Sequence, residues 1–270
     1  MLLCGTVLRT LVQSSPSSAM ASSSGSIAAT AVGAAGGGGA AAVVAVSHQQ
    51  QQQQGQRTLR GVVFDMDGTL TVPAIDFASM YRRVLGDDHP RIVSGSPIDI
   101  LHEIAEWSPE KQVQAYAIIA EYEKQALERL QIMPGAHEVC KLLDSKQIRR
   151  GLITRNVKES VDLFHSRFEL QEFSPALSRE FKPYKPSAAP LLHICNTWGA
   201  SPSEVLMVGD SAKDDIACGT RAGAITCLLD ENDRYEVSQL PEEQRPDFKV
   251  RTLFEINSLL ESCFKLEPLF

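Results

Sequence analysis

One stretch decides how this chain folds: Gly61-Val62-Val63-Phe64-Asp65-Met66-Asp67-Gly68-Thr69-Leu70. Its apolar start is β-branched and aromatic, which predicts a buried strand. The strand ends in two carboxylates, Asp65 and Asp67, and Gly68 then allows a sharp turn. Open α/β sheets bind ligands outside the carboxyl ends of their strands, so a ligand site is predicted here. An ordinary hairpin turn at Asp67-Gly68 is the alternative, but no strand alternation follows it and Pro73 interrupts the next segment.

Further apolar segments with strand character recur along the chain. They lie at about residues 148–154, 204–210, 224–229 and 248–250, and segments with helical periodicity separate them. Strands that alternate with helices indicate a parallel sheet with right-handed crossovers. We therefore predict an α/β fold, a Rossmann-like parallel sheet with helices on both faces.

A small helical cap is predicted to interrupt this sheet after its first strand. Residues 72–133 carry no strand signals, and helices are predicted over 76–85, over 96–106 and from Ser108 onward. The last of these has an apolar stripe that we expect to face inward: Val113, Tyr116, Ala117, Ala120, Leu127 and Leu130. The catalytic core is then expected to comprise residues 58–71 and 134–264.

Residues 1–57 have a different composition from the rest of the chain. They contain no Asp or Glu, they are rich in Ser, Ala, Gly and Gln, and Arg9 is the only arginine before Arg57. Such a segment cannot bury a core, and it is predicted to be a disordered low-complexity leader. Its composition is typical of a transit peptide and favours a plastid (chloroplast) location, with mitochondrion or cytoplasm as alternatives. A low-complexity tail that is not translocated remains possible.

Composition excludes several classes of partner. The net charge is −7 and there is no basic stripe, so no nucleic acid is expected. No apolar run reaches the roughly 18 residues of a membrane span. The six cysteines contain no CxxC pair and indicate neither a zinc site nor a disulfide framework.

Polar side chains follow two further predicted strands. Thr154 ends one of them, and its hydroxyl with the backbone amides at the next helix start could hold a phosphate. Asp210 ends the other, and Asp214 lies one helical turn beyond it, so both could point into one crevice. Carboxylates that converge from separate strands suit Mg²⁺, which prefers oxygen ligands. The ordinary alternatives are a helix cap for Thr154 and a first-turn acid for Asp214.

Four segments in this order resemble the signatures of the haloacid dehalogenase-like hydrolase superfamily. They are Asp65-Met66-Asp67-Gly68-Thr69, Ile153-Thr154, Lys185-Pro186, and Gly209-Asp210 with Asp214. Pro134-Gly135 and Ala222-Gly223 are similar to the phosphoglycolate phosphatase-like branch. The third signature often has a second proline where this chain has Ala188, so Lys182 stays open as a substitute for Lys185.

The resemblance implies a role for each matching residue. Asp65 would be the nucleophile that forms an aspartyl-phosphate, and Asp67 the general acid and base. Thr154, the Arg155 amide and Lys185 would bind the phosphoryl oxygens. The Asp65 carboxylate, the Asp67 backbone carbonyl and Asp210 would bind Mg²⁺, with Asp214 as a ligand directly or through water. Because the dehalogenases of the superfamily lack the second aspartate, Asp67 favours phosphoryl transfer.

The predicted function is therefore Mg²⁺-dependent hydrolysis of a small phosphate monoester, with a phosphorylated metabolite as partner. A phosphomutase of the same fold is one alternative. A catalytically idle binding module is another, although the complete set of site residues speaks against it.

Overall fold

The structure is a computed structural model that describes residues 44–45, 56–96 and 98–269. The predicted leader, residues 1–57, lies outside these ranges except at positions 44, 45, 56 and 57. Disorder is wrong at positions 44, 45 and 57, which lie in strands, and for the rest of the leader both the disorder and the targeting role remain predictions.

The core is built on a seven-stranded sheet. The strands of the described chain are β1 (Val44–Ala45), β2 (Arg57–Leu59), β3 (Gly61–Phe64), β4 (Arg149–Ile153), β5 (Ala176–Leu177), β6 (Val205–Gly209), β7 (Ile225–Leu229), β8 (Phe248–Val250) and β9 (Phe264–Leu266). The sheet order is β1-β8-β7-β6-β3-β4-β5, while β2 and β9 form a separate parallel pair. All neighbours in the large sheet are parallel except β1 and β8. The predicted α/β class is confirmed.

Helices cover both faces of this sheet. The α-helices are α1 (Phe77–Leu85), α2 (Pro90–Ser94), α3 (Ile100–Ala105), α4 (Pro109–Glu128), α5 (Ala136–Ser145), α6 (Lys158–Arg167), α7 (Ala189–Trp198), α8 (Ala217–Ala222) and α9 (Leu253–Cys263). Successive strand residues point to opposite faces. Val62 and Phe64 accordingly pack with α5, α6 and α9, whereas Val63 packs with α7 and α8. None of the described helices is long and apolar enough to cross a membrane.

The chain leaves this sheet after β3 and returns to it at α5. Between them, α1 to α4 share an apolar cluster of their own around Met80, Ile104 and Ile119. The outgoing and returning segments pair with each other: Val72 N–H donates to Gln131 O at 2.9 Å, and Met133 N–H donates to Leu70 O at 2.9 Å. We call α1 to α4 the cap.

Two predictions within the cap were wrong in detail. The helix predicted over 96–106 starts at Ile100, because the Asp99 carboxylate accepts a hydrogen bond from the His102 N–H and so caps it. The stripe predicted to be buried on α4 is largely exposed, including Val113 at 70% and Tyr116 at 39%. The helix instead buries Ala115, Ile119, Glu123 and Ala126. A charged residue therefore lies on the inward face, which an apolar pattern could not reveal.

Candidate active site

Three adjacent parallel strands bring polar side chains to one edge of the sheet. β3 lies between β4 and β6, so Asp65, Thr154 and Asp210 follow neighbouring strands at their carboxyl ends. The chain runs from β3 outward to β4 and β5 and returns on the other side of β3 to β6, which makes this edge a topological switch point. The ladder continues one residue beyond β3, because Asp65 N–H donates to Val208 O at 2.9 Å.

A buried lysine joins two carboxylates at this edge. Lys185 Nζ lies 2.5 Å from Asp65 Oδ1 and 2.5 Å from Asp215 Oδ1. The Lys185 and Asp215 side chains are 2% and 1% exposed. Charges this deep are stable only when they are paired, so these three groups hold one another in place.

The third carboxylate beside Asp65 and Asp210 belongs to Asp215, which the sequence analysis did not select, whereas the predicted Asp214 lines the same cleft. Residues Ala212–Ile216 form a π-helical turn, and the Asp215 carboxylate accepts a hydrogen bond from the Ser211 N–H at 3.0 Å. A Cβ at Gly209 would lie 2.2 Å from Asp215 Cγ, so only glycine leaves room for this side chain. Asp214 instead accepts a hydrogen bond from Arg155 at 3.1 Å. Because the wide turn advances five residues rather than four, α-helical spacing from Asp210 did not indicate Asp215, and metal binding by Asp214 remains a prediction.

Asp67 faces a different set of groups. Its Oδ2 accepts hydrogen bonds from Thr154 Oγ1 at 3.3 Å and from Asn156 Nδ2 at 3.2 Å. Asn156 was not among the predicted site residues. Its Oδ1 accepts from the Val157 N–H and from Ser160 Oγ, and these two bonds direct its amide nitrogen toward Asp67. Its position two residues after Thr154 was the only signal for this role.

The side-chain contacts distinguish Lys185 from Lys182 and show the partners of Arg155. Lys182 Nζ lies 4.1 Å from the centre of the Tyr184 ring, so it is Lys185 that reaches the carboxylates. The Arg155 guanidinium contacts Asp99 of the cap at 2.5 Å and Asp214 at 3.1 Å. Binding of phosphate by the Arg155 amide, and of metal by the Asp67 carbonyl, remain predictions.

Burial shifts the ionisation of the acids. It raises the pKa of Asp65 and of Asp210 to about 6 and that of Asp215 to about 7, although Lys185 works in the opposite direction on each. Burial also raises the pKa of Asp67, while its hydrogen bonds from Asn156 and Thr154 partly offset this. For Lys185, burial alone would lower the pKa, but Asp215 and Asp65 outweigh it and the pKa is raised. Lys185 therefore supplies too little positive charge to offset the effect of burial on these acids.

The donor set fits a hard divalent cation such as Mg²⁺. One carboxylate oxygen each from Asp65, Asp210 and Asp215 can be chosen so that all lie within 4.8 Å of one another. Gly68 closes over this cluster at φ +87°, and a Cβ there would lie 2.8 Å from Asp210 Oδ2. Oxygen-only ligands with an excess of negative charge are what Mg²⁺ prefers in proteins.

A cleft of about 490 Å³ connects these groups to the cap. Its sheet side presents Asp65, Asp67, Thr154 and Lys185, and its other side consists of residues from α1, α3 and α4. A ligand that reaches Asp65 must therefore contact the cap as well.

Comparisons with known proteins agree with this architecture. A model of the haloacid dehalogenase-like hydrolase family matches residues 59–223. A haloacid dehalogenase-like hydrolase domain-containing protein of Arabidopsis thaliana is 64% identical over 218 residues, which cover 78% of this chain and 87% of that protein. A phosphoglycolate phosphatase of Nitrosococcus oceani is 26% identical over 224 residues, 75% of this chain and 96% of that protein.

The fold also matches a solved structure. The crystal structure of a predicted phosphoglycolate phosphatase from Haemophilus somnus superposes with a TM-score of 0.56 at 21% identity, over 74% of this chain and 97% of that one. At this identity the match concerns the fold alone. The family match and the relative that is 64% identical lead to one conclusion: the chain belongs to the haloacid dehalogenase-like hydrolases, as its sequence predicted.

Proposed function

We propose that this protein is a Mg²⁺-dependent phosphatase that hydrolyses a small phosphate monoester through an aspartyl-phosphate on Asp65. One observation carries the proposal: Asp65, Asp67, Thr154 and Lys185 line one cleft together with Asp210 and Asp215. A nucleophile, a proton donor, a lysine and a hydroxyl for the phosphoryl oxygens, and further carboxylates for a metal ion are thus available in one cleft.

In the first step a carboxylate oxygen of Asp65 attacks phosphorus, and the bond from phosphorus to the leaving oxygen breaks. Asp67 donates its proton to that oxygen, so the alcohol leaves neutral. Its raised pKa favours the protonated form that this step needs. Lys185 and Thr154 orient the phosphoryl oxygens and stabilise the charge that develops on them.

In the second step Asp67, now ionised, removes a proton from a water molecule. The water oxygen attacks phosphorus, the bond between phosphorus and Asp65 breaks, and inorganic phosphate leaves. Asp65 returns as a carboxylate and Asp67 keeps the proton, so the site is restored. The hydrogen bond from Asn156 holds Asp67 in position in both steps, while the single hydroxyl proton of Thr154, which points to Asp67 in the free site, turns to the phosphoryl group.

Asp65, Asp210 and Asp215 would hold the metal ion. When bound, Mg²⁺ supplies the positive charge that offsets repulsion between the Asp65 carboxylate and a phosphate dianion. This requirement agrees with the excess of acids over lysine in the cluster.

The test is phosphate release from an aryl phosphate with and without Mg²⁺, using the full chain. Asp65→Asn should lower kcat by about a thousandfold or more, because removal of a catalytic nucleophile costs at least that much. Asp87→Asn, which changes an exposed acid of the cap, should keep kcat within twofold. A phosphorylated peptide that contains Asp65, trapped by acid quench, would identify the intermediate. Near-normal activity of Asp65→Asn would show that Asp65 is not the nucleophile.

We also propose that residues 1–57 direct the protein to a plastid. The support is their composition, which has no acidic residue and is rich in Ser and Ala. Residues 1–57 fused to a fluorescent protein should accumulate in chloroplasts, while residues 58–270 fused in the same way should not. Cytosolic fluorescence of the first fusion would refute this targeting role.

A further inference from the structure

We propose that the ester this protein cleaves has an uncharged, mainly apolar leaving group, an aliphatic or aromatic alcohol that carries neither a carboxylate nor a second phosphate. The inference rests on the proposed phosphatase activity and concerns the part of the substrate that faces the cap.

The cap side of the cleft is a hydrocarbon surface. Its apolar side chains include Ile75, Met80, Tyr81, Ile98, Leu101 and Ile119. Met80 and Ile119 are buried in the cap's own cluster, whereas the other four are only half-buried. Phe77, at the start of α1, is 44% exposed. The cap therefore presents a partly uncovered apolar edge to the space where a leaving group would lie, and contact with hydrocarbon would remove it from water.

The arginines that line the cleft are already paired with acids. Arg155 donates to Asp99 at 2.5 Å and to Asp214 at 3.1 Å. Arg179 donates to Glu123 at 2.5 Å.

The other cations of the cleft are occupied or exposed. Arg234 donates to Asp210 at 3.0 Å, and Lys185 is occupied at the phosphoryl position. Lys213 is exposed, so an anion that paired with it would remain in contact with water. In the described part of the chain, no guanidinium of the cleft is left over for an anion on the leaving group.

An anionic leaving group would also meet unfavourable charge. Glu123 and Asp214 line the cleft together with Asp67, and Asp99 pairs with Arg155, which also lines it. To reach Arg155 or Arg179, a substrate carboxylate would have to displace Asp99 or Glu123 and leave that half-buried or buried acid without its partner. Specificity would then come from exclusion of anions as much as from attraction of hydrocarbon.

The deciding experiment compares two esters of nearly equal shape. Isobutyl phosphate and phosphoglycolate differ mainly in two methyl groups that replace two carboxylate oxygens. With the full chain and Mg²⁺, kcat/KM for isobutyl phosphate should exceed that for phosphoglycolate by tenfold or more, and benzyl phosphate should be at least as good as isobutyl phosphate.

Asp99→Asn tests the mechanism of exclusion. Asparagine still caps α3 through its side-chain oxygen, but it removes one of the two anions that hold Arg155. The ratio of kcat/KM for phosphoglycolate to that for isobutyl phosphate should rise about tenfold, mainly through a lower KM for phosphoglycolate. Glu121→Gln is the matched control, because Glu121 is a cap acid that pairs with Arg83 at 2.8 Å outside the cleft. It should leave the ratio within twofold of the wild type.

The outcomes separate the two proposals. A wild-type preference for phosphoglycolate, or an unchanged ratio in Asp99→Asn, would overturn the inference and leave the phosphatase assignment standing. If none of the esters were hydrolysed, aryl phosphate included, the proposed activity itself would fail. Because each ratio is measured within one protein preparation, partial loss of folded variant does not obscure the result.

Discussion

Asp214 and Asp215 are neighbours in the sequence, but their carboxylates have different partners. Asp215 lies with Asp65 and Asp210, whereas Asp214 pairs with Arg155. We therefore expect Asp215→Asn to raise the Mg²⁺ concentration for half-maximal activity by tenfold or more, since metal-site changes typically cost 10- to 100-fold in affinity or activity. Asp214→Asn, the matched control, should change it less than threefold. Activity titrated against Mg²⁺ measures both, and a larger effect at Asp214 would return that residue to the metal site.

Most residues of the site could be placed from sequence because each one follows a strand. Asp65, Thr154 and Asp210 end adjacent parallel strands, so strand prediction alone brings them together. Asp215 and Asn156 could not be placed in this way. The direction of each side chain depends on local hydrogen bonds, with the Ser211 N–H for Asp215 and with Val157 and Ser160 for Asn156. Residue spacing does not encode such bonds.

At the scale of elements, long periodic segments were predictable and, apart from the three residues of β8, short ones were not. The segment predicted over 76–85 is α1, Phe77–Leu85, because Asp76 caps it and Gly86 follows it. The strands β2, β5 and β9 contain two or three residues each, too few for an alternating pattern. They form because neighbouring strands offer free hydrogen-bonding groups, which is a property of the tertiary structure.

The inward face of α4 contains an ion pair that joins the cap to the core. Glu123, 9% exposed, accepts hydrogen bonds from Arg179, which follows β5. We expect Arg179→Met to lower the free energy of unfolding by about 2–3 kcal/mol, because it leaves a buried carboxylate without its partner. The double variant Glu123→Met, Arg179→Met should recover most of this loss, since two apolar side chains of similar length need no partner.

Urea unfolding of the single and double variants measures this coupling. Lys158→Met is a suitable control, because Lys158 pairs with Asp162 on an exposed surface, where such pairs contribute little. If the double variant were as unstable as the sum of the two single variants, the ion pair would not be the connection between α4 and the core.

For the whole molecule, the cluster of Asp65, Asp210 and Asp215 makes the stability depend on pH and on the binding of a metal ion. In the metal-free protein the folded pKa values of Asp65 and Asp210 are about 6 and that of Asp215 is about 7, against about 3.9 for an aspartate in an unfolded chain. Between roughly pH 4 and 7 these three acids therefore bind more protons in the folded state than in the unfolded state. Their contribution to the free energy of unfolding falls as the pH rises through this window. His165 acts in the opposite direction, since burial lowers its pKa.

We accordingly expect the Tm of the metal-free protein to be lower at pH 8 than at pH 5.5 by about 5–10 °C, because each kcal/mol corresponds to about 2–4 °C in a chain of this size. Saturating Mg²⁺ should raise the Tm at pH 8 by a similar amount and have less effect at pH 5.5, where protons compete for the same carboxylates. Asp215→Asn isolates the contribution of the cluster, because the variant retains His165 and every other titrating group. It should flatten the pH dependence in EDTA and reduce the response to Mg²⁺. A wild-type Tm that rises from pH 5.5 to pH 8 in EDTA, with the same slope in Asp215→Asn, would show that these carboxylates do not carry the excess charge that the metal site requires.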